Sequence, residues 1–327
     1  MNPGRRFCTL FNSNYLLKGV VMLESLLRHC ADASVQVLCM DEATWEILSK
    51  LKLPRVSLLG LSEIEDDDLL RVKPGRSIAE YCWTLGPALC GHVLQSDRDV
   101  QMVTYLDADL MFFSDVEPLF DEIGDSSIVV VEHKFAPKHA YMEACGRFNV
   151  EWVGFRRTPA GLACLKTWRD QCIDWCFARL EENRLGDQKY LDAWPEKYPD
   201  DLHILRHIGA GIAPWNFSKH AFAENDGQVY VDRVPLVFYH FNQFQLLKGG
   251  RFDYMMSAYS DGVTVPDAVY GRYERALLHV LARVRRLQPD FDAGIRPAGL
   301  VLARRAAQRY LPVAVKNFMR RLRIQSW

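Results

Sequence analysis

Apolar residues recur along the chain in two alternating rhythms. Arg6–Phe11 is a short β-prone run, and Tyr15–His29 then carries Leu16, Val20, Leu23, Leu26 and Leu27 at helical spacing, so a strand followed by a helix is predicted. Val35–Met40 and Val56–Leu59 read as further strands with a helix, Glu42–Leu51, between them, and an acidic stretch, Glu63–Asp68, follows. Ile78–Leu94 has a helical pattern, and Val100–Leu106 is an apolar strand that ends at Asp107. Ser127–Glu132 and Trp152–Phe155 read as strands, Ala160–Leu180 as a long helix, and Asp187–Trp194 as a helix stopped by Pro195. Pro235–Phe241, rich in β-branched and aromatic residues, adds a late strand. Strands alternating with helices predict an α/β fold with a mainly parallel central sheet. The last part is helical in pattern: Tyr270–Arg286, a Pro/Gly break near Pro289–Gly299, then Leu300–Ile324 interrupted by Pro312. Charge balance and periodicity both change near residues 260–270, which divides the chain into a domain over 1–265 and a C-terminal helical extension over 266–327.

Composition alters this picture little, since 49% hydrophobic and 25% charged residues suit an ordinary globular chain with a sizeable core. Charge alters it more. The net charge of -1 excludes a wholly basic nucleic-acid binder, yet Arg272–Trp327 holds 13 Lys/Arg against 3 Asp/Glu, leaving 27 against 38 for the rest. Leu300–Ile324 places Arg304, Arg305, Arg309, Lys316, Arg320, Arg321 and Arg323 among apolar residues. Such a segment lies on an anionic membrane surface, or packs its apolar face on the preceding domain or a second copy of the chain as a homo-oligomer; both readings stay open. Nine cysteines, an odd count without a CxxC pair, read as reduced thiols acting as small hydrophobes. The polar start shows no signal peptide, and no run reaches the roughly 18 apolar residues of a membrane span. A cytoplasmic protein is expected, peripheral to the membrane if its basic tail binds there.

The sharpest chemical feature is Val103-Thr104-Tyr105-Leu106-Asp107-Ala108-Asp109-Leu110-Met111-Phe112-Phe113, a hydrophobic strand that delivers two carboxylates one residue apart. Alternate residues of an extended segment share a face. Ligands in open α/β sheets collect at the carboxyl ends of strands. Asp107 and Asp109 are therefore a candidate site for a hard divalent cation, although two solvated aspartates in a turn give the same pattern. Asn14-Tyr15 reads as a helix N-terminus with Asn14 as cap, and Asp187 suits a helix start through the macrodipole. Taken alone, His240 reads as a core histidine and Lys248 as a surface lysine. The glycine-rich Gly209–Gly211 piece lacks the GxGxxG spacing of a dinucleotide site.

In order along the chain, several segments resemble GT-A-fold glycosyltransferases, particularly glycosyltransferase family 8, which includes glycogenin. YLDADLMFF is similar to the metal-binding strand of that family. Phe7-Cys8-Thr9-Leu10, Asn12, Asn14, Tyr15 and the helix from Lys18-Gly19 to Ser25-Leu26 are similar to its first strand, nucleotide loop and first helix. Glu80-Tyr81-Cys82-Trp83-Thr84, Phe148-Asn149 with Gly154-Phe155, Gly186-Asp187-Gln188-Lys189-Tyr190-Leu191 and Phe238-Tyr239-His240-Phe241 continue the match over residues 6–248. The stretch from Asp187-Gln188 to Ala213-Pro214-Trp215-Asn216 also resembles bacterial glycosyltransferases of surface-polysaccharide clusters.

The resemblance implies a GT-A (Rossmann-like nucleotide-diphospho-sugar transferase) domain using Mn2+ or Mg2+ bound by Asp107, Asp109 and His240. It implies a nucleotide-sugar donor, a UDP-sugar, with Thr9, Asn14 and Tyr15 at base and ribose, Asp107 and Asn149 beside the donor, and Lys248 at a phosphate. Asp187 and Gln188 would face the sugar, as in retaining members, and Trp215-Asn216 the acceptor, a saccharide or a lipid-linked one. One departure stands out: Glu151 occupies a position where related sequences tend to carry glycine, which bears on the placement of Asn149. Two rivals are a nucleotide-sugar pyrophosphorylase or hydrolase, and a non-catalytic nucleotide-sugar-binding or scaffold relative. The first lacks a glycine/lysine-rich phosphate signature after the first strand; intact Asp107, Asp109, Asp187 and His240 disfavour the second.

Overall fold

The computed structural model describes residues 4–254 and 264–299. Its first half runs β1 (Arg6–Phe11), α1 (Leu16–His29), β2 (Ser34–Cys39), α2 (Glu42–Leu51), β3 (Val56–Gly60), α3 (Asp67–Val72), α4 (Ile78–Ser96), β4 (Met102–Leu106), β5 (Leu110–Phe112), α5 (Glu117–Ile123) and β6 (Ile128–Glu132). There follow β7 (Phe148–Arg156), α6 (Pro159–Asp174), α7 (Trp194–Lys197), β8 (Leu202–Leu205), β9 (Phe222–Asn225) and β10 (Gln228–Val231). The last elements are β11 (Val234–Pro235), β12 (Phe238–His240), β13 (Gln245–Leu247), β14 (Arg251–Asp253) and α8 (Asp267–Leu287).

Seven strands form one sheet in the order β3-β2-β1-β4-β7-β6-β8. β1 to β4 pair in parallel, as do β6 and β8, while β7 runs antiparallel to both of its neighbours. The mainly parallel α/β sheet expected from the sequence is thus present. Both faces are covered, which explains why these strands are apolar almost throughout rather than alternating. Within β1, Phe7 and Phe11 enter the core shared with α1 and α8, whereas Cys8 and Leu10 enter the one shared with α4 and α6. β7 extends well beyond the expected Trp152–Phe155, and its residues from Phe148 to Phe155 are buried.

Local chemistry sets most helix ends. Asp41 and Asp66 accept backbone N–H groups at the starts of α2 and α3, and Ser77 with Glu80 forms a capping box on α4. The helix expected over 160–180 stops at Asp174, where Arg76 donates to the carbonyls of Cys172 and Ile173 in its last turn. The helix expected over 187–194 is a 3-10 turn over Lys189–Ala193, and Pro195 starts α7 instead of ending the segment. Asn14 does not cap α1. Tyr15 occupies that position in an αR conformation, and the Asn14 side chain accepts from the Gly294 N–H.

α8 opens the stretch expected to form the C-terminal extension. Its Val269, Tyr270, Tyr273, Leu277, Val280 and Val284 belong to the same buried cluster as α1, and Tyr273 stacks on Phe241 with ring centroids 3.6 Å apart. The basic segment Leu300–Ile324 lies outside the described residues. No helix of the described residues is long and apolar enough to cross a membrane.

Trp152 ties the sheet to this cluster. It is fully buried, stacks on Phe238 and meets Phe7 and Phe120 edge-on. Trp152→Ala is expected to cost about 3–5 kcal/mol, seen as a lower urea midpoint at unchanged slope; a midpoint within error of the parent contradicts this packing.

Candidate metal centre

β4 ends at Leu106, and Asp107, Ala108 and Asp109 form the turn into β5. The Asp107 N–H donates to the Glu151 carbonyl on neighbouring β7. β5 pairs antiparallel with β12 in a register that sets His240 opposite Leu110, one residue after Asp109. Two strand pairings thereby bring together three residues from distant parts of the chain. Ligand atoms of Asp107, Asp109 and His240 all lie within 4.8 Å of one another. His240 Nε2 is 3.0 Å from Asp109 Oδ1 and 4.0 Å from Asp107 Oδ2. The Asp107 side chain is 30% exposed against 9% for Asp109 and 3% for His240, so the cluster opens to solvent on the Asp107 side.

Behind the cluster the imidazole is held from its other nitrogen. His240 Nδ1 donates to Glu151 Oε2 at 2.5 Å, and the Trp215 ring packs edge-on against it at 5.3 Å. This directs Nε2 at the two aspartates, as in the carboxylate–histidine pairs that orient metal ligands. Glu151 is itself supported: its N–H donates to Asn149 Oδ1, and Asn149 Nδ2 donates to His133 Nε2. Burial, with the His240 charge adding, pushes the His133 pKa down to about 3, so the ring is neutral and accepts at Nε2. Gly211, at φ +73, passes close behind; a Cβ there would meet Val131 at 2.7 Å and Glu151 Oε1 at 3.7 Å.

The electrostatics suit a cation. Burial, then the Asp109 and Glu151 charges, push Asp107 up to about 7 despite the opposing pull of His240. Burial and the Asp107 charge push Asp187 up to about 8. Burial works against ionised Asp109 too, but His240 and Lys18 outweigh it and hold its carboxyl well below the usual range. For His240 burial favours the neutral ring, yet Asp109 and Glu151 raise it well above an ordinary histidine. Two carboxylate oxygens and an imidazole nitrogen are a fitting donor set for Mn2+ or Mg2+, and such an ion would discharge the crowded carboxylates.

The remaining expected residues fall at different distances from this centre. Tyr15 is 43% exposed, and Lys18 Nζ lies 4.5 Å over its ring and 3.5 Å from Asp109 Oδ2. Thr9 is fully buried in β1, its hydroxyl without a partner among the described residues. Asp187 is buried close enough to Asp107 for their charges to interact. The half-buried Gln188 donates from Nε2 to the Cys145 carbonyl. Asn149 is buried and engages one donor and one acceptor inside the protein. Among the described residues no contact brings Lys248 to the triad; its ammonium faces Asp292 at 3.5 Å in solvent. The support from Lys18 and His133 went unseen in the sequence, and Glu151 was visible there only as a carboxylate where related sequences tend to carry glycine.

The sheet order and the Asp-Asp-His cluster at the carboxyl end of β4 define a GT-A-type α/β protein with a candidate divalent-metal site. The chain belongs to the family of YfnD and YfnF of Bacillus subtilis (strain 168), both described as uncharacterized proteins. YfnD is 33% identical over 294 residues, 89% of this chain and 94% of its own length. YfnF is 31% identical over 294 residues, 88% of this chain and 96% of its own. The chain matches no family model. Similar solved structures include the galactosyltransferase LgtC with donor and acceptor sugar analogues, at 15% identity and TM-score 0.48 over 84% of this chain and 95% of that one. Mouse xyloside xylosyltransferase 1 aligns at 16% identity and TM-score 0.46 over 73% and 98%. GlyE of Streptococcus pneumoniae TIGR4 aligns at 13% and 0.47 over 86% and 64%.

Metal binding must displace protons from His240 and Asp107, so Mn2+ affinity is expected to rise with pH between about 6 and 8. Calorimetry in two buffers of different ionisation enthalpy reads the released protons, and an affinity flat with pH contradicts the proposed ligands. Glu151→Gln keeps an acceptor for His240 but removes the charge. It should weaken Mn2+ binding on the order of 10–100-fold, and unchanged binding by titration would show that Glu151 does not act on the centre.

Proposed function

We propose that this protein is a metal-dependent glycosyltransferase that moves a hexose-type sugar from a nucleotide-diphosphate donor, a UDP-sugar, to a saccharide or lipid-linked acceptor with retention, in cell-surface polysaccharide synthesis. The observation that carries the proposal is the convergence of Asp107, Asp109 and His240 at the carboxyl edge of the sheet. The resemblance of the segments flanking these residues to family 8 enzymes supports it. Work at the cytoplasmic face of the membrane suits a lipid-linked acceptor.

When bound at these three residues, Mn2+ or Mg2+ supplies Lewis-acid stabilisation of the charge on the departing diphosphate. The chain's own residues do the rest. The exposed Tyr15 ring stacks on the base, with Asn14 bordering the nucleoside. Gln188, tied through its amide nitrogen to Cys145, presents its amide oxygen to positive charge developing at the anomeric carbon. Asp187, whose charge reaches Asp107, fixes a sugar hydroxyl. Asn149 acts from behind by holding Glu151.

Thermal unfolding with UDP alone, Mn2+ alone and both together tests the proposal. Ligand at 100 times its dissociation constant stabilises by about 2.7 kcal/mol. A shift that needs both components and disappears in Asp109→Asn is expected. No shift with any nucleoside diphosphate would leave the non-catalytic scaffold as the better reading.

A further inference from the structure

After α8 the chain turns back across the molecule and meets the loop that precedes α1. Phe291, Ile295 and Ala298 anchor this turn in the interior. Gly294 donates its N–H to Asn14 Oδ1 at 3.2 Å, and with φ +74 a Cβ there would come 2.1 Å from the Asn14 carbonyl oxygen, so only glycine allows the approach. Two residues later, Arg296 donates its N–H to the Leu246 carbonyl and accepts from the Lys248 N–H, both at 2.9 Å. Its backbone is therefore clamped between β13 and the Asn14–Tyr15 loop.

Just after that loop stands Lys18, above the Tyr15 ring and beside Asp109. Lys18 and the segment that carries Arg296 thus border one loop at the edge of the candidate metal centre. The Arg296 charge reaches both Tyr15 and Lys18. Arg296 is exposed and makes no ion pair among the described residues. Lys248, by contrast, already has Asp292. Like charges held together by backbone contacts are a net cost unless an anion joins them. The need grows when Asp109 turns its charge toward a metal. A guanidinium offers the paired donors that match phosphate oxygens.

Resting on the transferase reading above, we propose that Arg296, backed by Lys18, is the residue that grips the donor's diphosphate, in the place the sequence suggested for Lys248. The segment at 288–298 is then part of the active site, where it borders the donor together with the loop before α1.

The test measures UDP affinity by calorimetry at saturating Mn2+ for the parent chain, Arg296→Ala, Arg296→Lys and Lys248→Ala, with Mn2+ binding alone as control. Loss of a charge-assisted phosphate contact corresponds to about a 10–100-fold weaker UDP affinity for Arg296→Ala. Arg296→Lys should recover part of this, Lys248→Ala should stay near the parent, and Mn2+ binding alone should not change. The inference is overturned if Arg296→Ala binds UDP like the parent, or if it loses Mn2+ binding to the same extent, which marks a structural effect. A parent chain that binds no UDP with Mn2+ present sinks the transferase reading itself, a result separate from either of these.

Discussion

Everything in this molecule turns on one concentration of buried charge. Asp109, Glu151 and half-open Asp107 surround the single imidazole of His240, with Asp187 close by. Burying carboxylates is costly unless each finds a partner. His240 serves Asp109 and Glu151 at once, one through each ring nitrogen, and Lys18 serves Asp109 from the start of α1. Asp107 and Asp187 are left short, which is why both are displaced toward neutral pH. Such a deficit is a common signature of sites that bind a cation or carry chemistry.

The fold produces this cluster through backbone pairing. β7 runs antiparallel between β4 and β6, so its Glu151 carbonyl reaches the Asp107 N–H while its side chain reaches His240. The β5–β12 pairing supplies the histidine. His133, Asn149 and Trp215 then fill the space behind, so the ligands are fixed by hydrogen bonds and packing rather than by a flexible loop. Membership of the YfnD and YfnF family extends over nearly the whole chain and is not confined to the metal strand.

The C-terminal segment enters the same economy of contacts. α8 lies against α1, with an Arg283–Glu24 pair across the interface, and the turn after it reaches Asn14. The helix that carries Lys18 is therefore braced by residues more than 250 positions away. Stability of this interface and geometry at the candidate site are linked by that shared helix.

Strand and helix positions were legible because their periodicities are local: β1, α1, α4 and β4 emerge at or near the bounds that apolar spacing predicts. Asp107 and Asp109 were legible for the same reason, being two residues apart at a strand end. Pro195 misled, because proline opens a helix as readily as it ends one. The roles of Glu151 and Lys18, the Lys248–Asp292 pair and the place of Arg296 were decided only by tertiary structure. Each depends on which distant strand or turn lies opposite, and that is set by sheet register and core packing, about which the order of neighbouring residues carries no information.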